Sequence, residues 1–89
     1  MNYREDEDKF RDLLNQEYEW PARYTYKFIV PVAQATAVSA LFDSAADISS
    51  RQSSGGKYTS LTIHALVQDA DEVIAIYQAA AVIPGIISL

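Results

Sequence analysis

The apolar positions fall into alternating and helical patterns that outline seven elements. Residues 23–30 alternate: Tyr24, Tyr26, Phe28 and Val30 share one face, and Arg23, Thr25, Lys27 and Ile29 share the other. A period of two is the mark of a strand with one buried side. Residues 57–67 alternate in the same way, with Leu61, Ile63, Ala65 and Val67 opposite Tyr58, Ser60, Thr62, His64 and Leu66. Between them, Val38, Leu41, Phe42 and Ala45 stand at i, i+3, i+4 and i+7. That spacing predicts an amphipathic helix opened by Pro31 and running to Ala46. Residues 47–54 are polar and suit an edge strand, and Gly55-Gly56 predicts a two-residue hairpin turn. If Ile48 points inward, Arg51 points outward.

Asp69 predicts an N-cap, with Glu72 three residues on in the capping-box position. The buried stripe of the helix that follows should be Val73, Ile76, Tyr77, Ala80 and Ala81, ended by Pro84-Gly85. Residues 86–89 predict a short closing strand. Ahead of the first strand, a helix starting at Glu5 or Asp6 carries Phe10, Leu13, Leu14 and Tyr18 as a narrow apolar stripe, which needs a surface to dock on. Trp20-Pro21 ends it.

The order is helix, then β-α-β-β-α-β. The expected fold class is α+β, a ferredoxin-like βαββαβ sandwich of ACT-like form. Right-handed crossovers place both helices on one face of a mostly antiparallel sheet. Residues 1–19 form an acidic helical arm and residues 20–89 the domain proper. The other sheet face is left open, and a ligand site is expected there.

Composition narrows the functions. The 89 residues, 49% hydrophobic and 21% charged, make one domain. There is no cysteine, so disulfides and thiolate chemistry are excluded. The formal charge is −5, but residues 1–19 hold seven acids against three bases, so the acidity belongs to the arm and the rest is nearly neutral. An acidic chain has no general attraction for nucleic acid or anionic lipid. No apolar run is long enough to span a membrane, and no secretory signal is apparent. A soluble cytoplasmic protein is the expectation.

The open face should show Arg23 and Lys27 from the first strand, Arg51 from the second, and Tyr58, Ser60 and His64 from the third. This mildly basic, hydroxyl-rich group suits a small anionic ligand or an acidic segment of a partner protein. The alternative is a solvated face, or one covered by the acidic helix. Ser60 and His64 are no nucleophile–base pair, because four residues along a strand span about 13 Å. His64 is the only histidine, so no multi-histidine metal site forms. Gly55-Gly56-Lys57 is not a phosphate loop: Arg51 stands where the first glycine belongs, and Tyr58 where serine or threonine should follow the lysine. The acids at 5–8 lack the glycine turn and spaced oxygens of a calcium loop. RNA-binding sheets stack bases on paired aromatics, and only Tyr58 is placed to do so. Single-stranded RNA on the open sheet is therefore the second reading, with nucleic acid disfavoured. No enzyme activity and no cofactor is expected. The free sheet edges allow a homodimer.

Four segments together resemble a known family. They are Trp20-Pro21, Tyr24-Thr25-Tyr26-Lys27-Phe28, the run from Ser53-Ser54-Gly55-Gly56 through Lys57-Tyr58-Thr59-Ser60 to Leu61-Thr62, and residues 86–89. The chain over 18–89 resembles the YbeD-like family of small bacterial proteins, domain of unknown function 493. The resemblance implies a ferredoxin-like fold similar to ACT regulatory domains, no established enzymatic activity, and binding of a small ligand or a partner protein. Two features depart from it. The N-terminal helix is longer than the family's short leader. The loop at Val30-Pro31-Val32-Ala33 has no glycine, where amino-acid-binding ACT domains commonly have one.

Overall fold

The computed structural model describes residues 3–89, with side chains from residue 6 onward; Glu5 of the acidic run thus has its side chain outside the described residues. The elements are α1 (Tyr3–Glu17), β1 (Ala22–Pro31), a 3-10 turn (Val32–Gln34), α2 (Ala35–Ser39), β2 (Asp47–Gln52), β3 (Tyr58–Val67), α3 (Ala70–Ala81) and β4 (Ile87–Ser88). The fold is α+β: four antiparallel strands in the order β2-β3-β1-β4, with helices on one face.

β1 and β3 pair along their whole length, from Ala22 opposite Val67 to Pro31 opposite Tyr58. This register sets Tyr26 against Ile63 and Phe28 against Leu61 on the inner face. All four are buried, together with Val30, Val38 of α2 and Val73, Ile74 and Ala80 of α3. The alternation predicted for both central strands is therefore the alternation observed.

α1 docks on the helix layer, not on the sheet. Leu14 is buried in the common core, and the Phe10 ring meets the Tyr77 ring edge-on at 5.9 Å. Arg11 fastens the two helices, its Nε donating to Asp71 Oδ1 at 2.7 Å while its Nη1 donates to Asp8 Oδ1 at 2.8 Å. Glu7 also accepts from the Gln78 amide. The stripe is one residue narrower than expected, because Leu13 points to solvent.

Several details differ from expectation: α1 begins at Tyr3, ahead of Glu5, and β2 ends at Gln52, short of Ser54. α2 ends at Ser39, not Ala46. Beyond it the chain continues in turns, with Leu41 N–H donating to Val38 O and Phe42 N–H to Ser39 O. Asp43 Oδ1 accepts from Ala45 N–H at 2.9 Å, a local bond that competes with helix continuation. Leu41 and Phe42 still turn toward the core, but Ala45 is exposed. The β2–β3 hairpin is longer than two residues: Ser53 N–H donates to Tyr58 O, Gly56 N–H donates to Ser53 O, and Gly56 takes the left-handed φ of 71°. Lys57 consequently lies in the loop. In α3, Ala81 is exposed and Ile74 is buried in its place. Asp69 caps α3 as expected, accepting from Glu72 N–H at 2.9 Å, while the Glu72 carboxylate accepts from Gln68 N–H.

Candidate functional site

The uncovered face of the sheet is built by strand parity. On β1 it shows Arg23, Thr25, Lys27 and Ile29, and on β3 Tyr58, Ser60, Thr62, His64 and Leu66. The β2–β3 register sets Asp47 beside His64, Ser49 beside Thr62 and Arg51 beside Ser60. The β1–β4 register sets Ile87 beside Ile29. All six residues predicted from the sequence lie on this face: Arg23, Lys27, Arg51, Tyr58, Ser60 and His64.

They fall into three groups along it. At one end, Arg51, Tyr58 and Ser60 border a shallow depression of about 490 Å³ with Ile29, Ser53 and Ser54. Ser60 Oγ donates to Arg51 O at 3.3 Å, and the Arg51 guanidinium meets no carboxylate among the described residues. Tyr58 is 45% exposed, so its ring is available for contact. In the middle stands Lys27, opposite Thr62. At the far end, Arg23 Nη2 lies 3.8 Å from Asp47 Oδ2, and His64 Nδ1 is 2.8 Å from Thr25 Oγ1.

This geometry separates Ser60 from His64. The histidine ring is engaged with Thr25 and the serine hydroxyl with a carbonyl, so neither is set up to activate the other. Among the described residues no group of three or more His, Cys, Asp or Glu could hold a metal ion. Tyr58 is the one aromatic side chain on the face; Tyr24, Tyr26 and Phe28 all belong to the inner side.

Asp47 was not among the sequence candidates, yet its carboxylate lies within 3.8 Å of Arg23 and competes with an incoming anion for that guanidinium. Its place was within reach of the parity that placed Arg51, since 47, 49 and 51 share a face whenever Ile48 turns inward. Ile87 was also missed. It lies 52% exposed beside Ile29 and gives this face an apolar border.

No described helix is long and apolar enough to cross a membrane. Comparison with curated proteins and with solved structures returned no match. A family model described as "Protein of unknown function (DUF493)" matches residues 15–88, a span that takes in every strand, α2, α3 and the whole of the open face. The chain belongs to the DUF493 family.

Proposed function

We propose that this chain is a non-catalytic regulatory or interaction domain of ferredoxin-like, ACT-like form, whose open sheet face binds a carboxylate-bearing ligand. The strand order supports the fold reading. Taken from the other edge it is β4-β1-β3-β2, with α2 and α3 as the two crossovers on one layer. The observation that carries the function is the bare face itself. α1 spends its apolar stripe on α3 and leaves the sheet uncovered. On that face Arg23, Lys27 and Arg51 stand against a single carboxylate, Asp47, although the chain as a whole is acidic. Lys27 and Arg51 have no ion-pair partner among the described residues. Each can form a charge-assisted hydrogen bond to an incoming carboxylate without first breaking an internal pair. Ile29, Ile87 and Tyr58 supply apolar contact alongside.

The carboxylate can come from a small polyacid or from an acidic segment of a partner protein, and a titration separates the two. Amide spectra of the nitrogen-labelled chain are followed with citrate, with a glutamate-rich peptide carrying one aromatic residue, and with a short uridine-rich RNA. Saturable shifts at Lys27, Arg51, Tyr58 and Ser60 are expected with one or both acids, weakening as salt rises to about 0.15 M. The double change Lys27→Gln, Arg51→Gln should weaken binding at least tenfold, and Arg23→Gln less, because Asp47 already engages Arg23. Absence of saturable shifts with both acids overturns the proposal. Saturation by RNA alone replaces it with the nucleic-acid reading.

A further inference from the structure

The early end of α2 leaves space on the other side of the molecule. The turns after Ser39, the end of β3 and the first half of α3 together wall a recess of about 430 Å³. That volume is within the range of small-molecule sites, about 300–1,000 Å³. Its walls are apolar, formed by Leu41, Phe42, Ala65 and Ile76.

Two polar features converge on it. The first is Tyr26. Its side chain is 1% exposed and lines the recess, yet its hydroxyl makes no hydrogen bond among the described residues. No fully buried side-chain oxygen or nitrogen is left unpaired among those residues, so the Tyr26 hydroxyl is not a fully enclosed atom, and Tyr26 is a lining residue of the recess. A phenol held this way gains a full hydrogen bond when a ligand supplies the partner. Burial, with smaller contributions from Tyr24 and Glu72, raises its pKa, so it remains a neutral hydroxyl.

The second feature is charge. The ionisable side chains that line the recess besides Tyr26 are Asp43 and Glu72, both acids, with no base beside them. One oxygen of each is used locally, Asp43 Oδ1 by Ala45 N–H and Glu72 Oε2 by Gln68 N–H. Asp43 Oδ2 and Glu72 Oε1 have no partner among the described residues, and neither carboxylate is in an ion pair there.

The geometry points to a binding site for a small organic cation: an ammonium head between Asp43 and Glu72, an apolar body against Leu41, Phe42 and Ile76, and a polar atom meeting the Tyr26 hydroxyl. It lies where the end of β3 meets α3 and the turns after α2, away from Lys27, Arg51 and Ser60, and its ligand has the opposite charge.

Tyramine has these three parts and serves as the probe. Phenethylamine lacks the phenol, and 3-(4-hydroxyphenyl)propionate reverses the charge. In amide spectra of the full chain, tyramine at millimolar concentration should shift Ala45, Gln68 and Ala75 saturably and leave Lys27 and Ser60 in place. Phenethylamine should bind several-fold more weakly, and the propionate should give no saturable shift. Glu72→Gln keeps an acceptor for Gln68 N–H and removes only the charge; combined with Asp43→Asn it should weaken tyramine about tenfold. Tyr26→Phe should abolish the preference for tyramine over phenethylamine. If that variant does not fold, the same comparison on the unaltered chain decides the role of the hydroxyl. Absence of saturation by tyramine, equal binding of amine and acid, or shifts confined to the open face each overturn the site.

Discussion

Leu13 and Leu14 are neighbours in α1 with the same side chain and opposite fates, 53% and 4% exposed. Changing each to alanine tests where α1 lies. Leu14 is buried in the core that Phe10 and Tyr77 also pack against, so Leu14→Ala loses the transfer energy of the removed carbons and leaves a partly unfilled space. Core Leu→Ala changes cost about 2–5 kcal/mol. Because α1 is an outer helix that can settle toward α3, the low end applies, about 2–3 kcal/mol. At a urea slope of about 1 kcal/mol per molar, the midpoint should fall by about 2–3 M. Leu13→Ala should stay within about 0.5 kcal/mol. The assay has a built-in reporter. The single tryptophan, Trp20, stacks on Tyr18 at 5.4 Å and donates to Asn15 Oδ1 at 2.7 Å, so its fluorescence follows the end of α1 while far-ultraviolet dichroism follows the whole chain. Equal costs at the two positions, or a Leu14→Ala protein as stable as the parent, would refute the docking of α1 on the helix layer. With it would go the statement that the open face is bare.

Gly85 has φ 76°, and a Cβ built there would lie 2.8 Å from Pro31 Cγ, whereas Gly56 has φ 71° in open space. Gly56→Ala should therefore cost only the left-handed strain, about 1–2 kcal/mol, and Gly85→Ala distinctly more; equal urea midpoints would contradict this. Burial raises the pKa values of Tyr26 and Tyr77 above the ordinary 10.0, with the hydrogen bond between Tyr77 and Tyr24 adding to the shift at Tyr77. Below pH 10 both states hold these protons and stability is unaffected; above it the unfolded chain releases them first, and stability falls by about 1.4 kcal/mol per pH unit for each tyrosine. Tyrosinate absorbance should then show two of the six tyrosines ionising only as the dichroism is lost, and smooth ionisation of all six in a folded protein would count against their burial.

The parts of the fold legible in the sequence are those in which burial and backbone geometry share one period. β1 and β3 are buried on one side for ten residues each, so Tyr26, Phe28, Leu61 and Ile63 announce both the strand and its inner face. The Asp69 cap was legible because a short acceptor must sit at that point to satisfy the first free N–H groups of α3. α2 was not. The i, i+3, i+4 spacing of Val38, Leu41 and Phe42 reports which side chains face inward, and all three do; it does not report which carbonyl each N–H finds. A succession of turns satisfies the same inward pattern, and Asp43 tips the choice by bonding Ala45 N–H. The hairpin failed in a similar way, since Gly55-Gly56 marks a turn but only Gly56 needs its freedom of φ. For the open face, parity placed all six candidates correctly, but parity says nothing of diagonal pairs. Arg23 reaching Asp47 across β3 depends on twist and side-chain length, and only coordinates supply those.

Charge and layer are correlated in this molecule, and this reconciles an acidic chain with a sheet face that carries Arg23, Lys27 and Arg51. Glu7 and Asp8 of α1 stand on the far side of the helices, and Arg11 draws them with Asp71 into one partly self-neutralised cluster there. Between that cluster and Lys27 lie a helix and the sheet, a separation of about 10 Å or more. The Debye length at physiological salt is about 8 Å. At that ionic strength an anion approaching the sheet is governed by Lys27, Arg51 and the Arg23–Asp47 pair, and hardly by the net charge. The recess between the turns after α2 and the first half of α3 has the opposite local sign, because Asp43 and Glu72 line it and no base does. Net charge therefore misleads for both surfaces, and the local layer decides what each can hold.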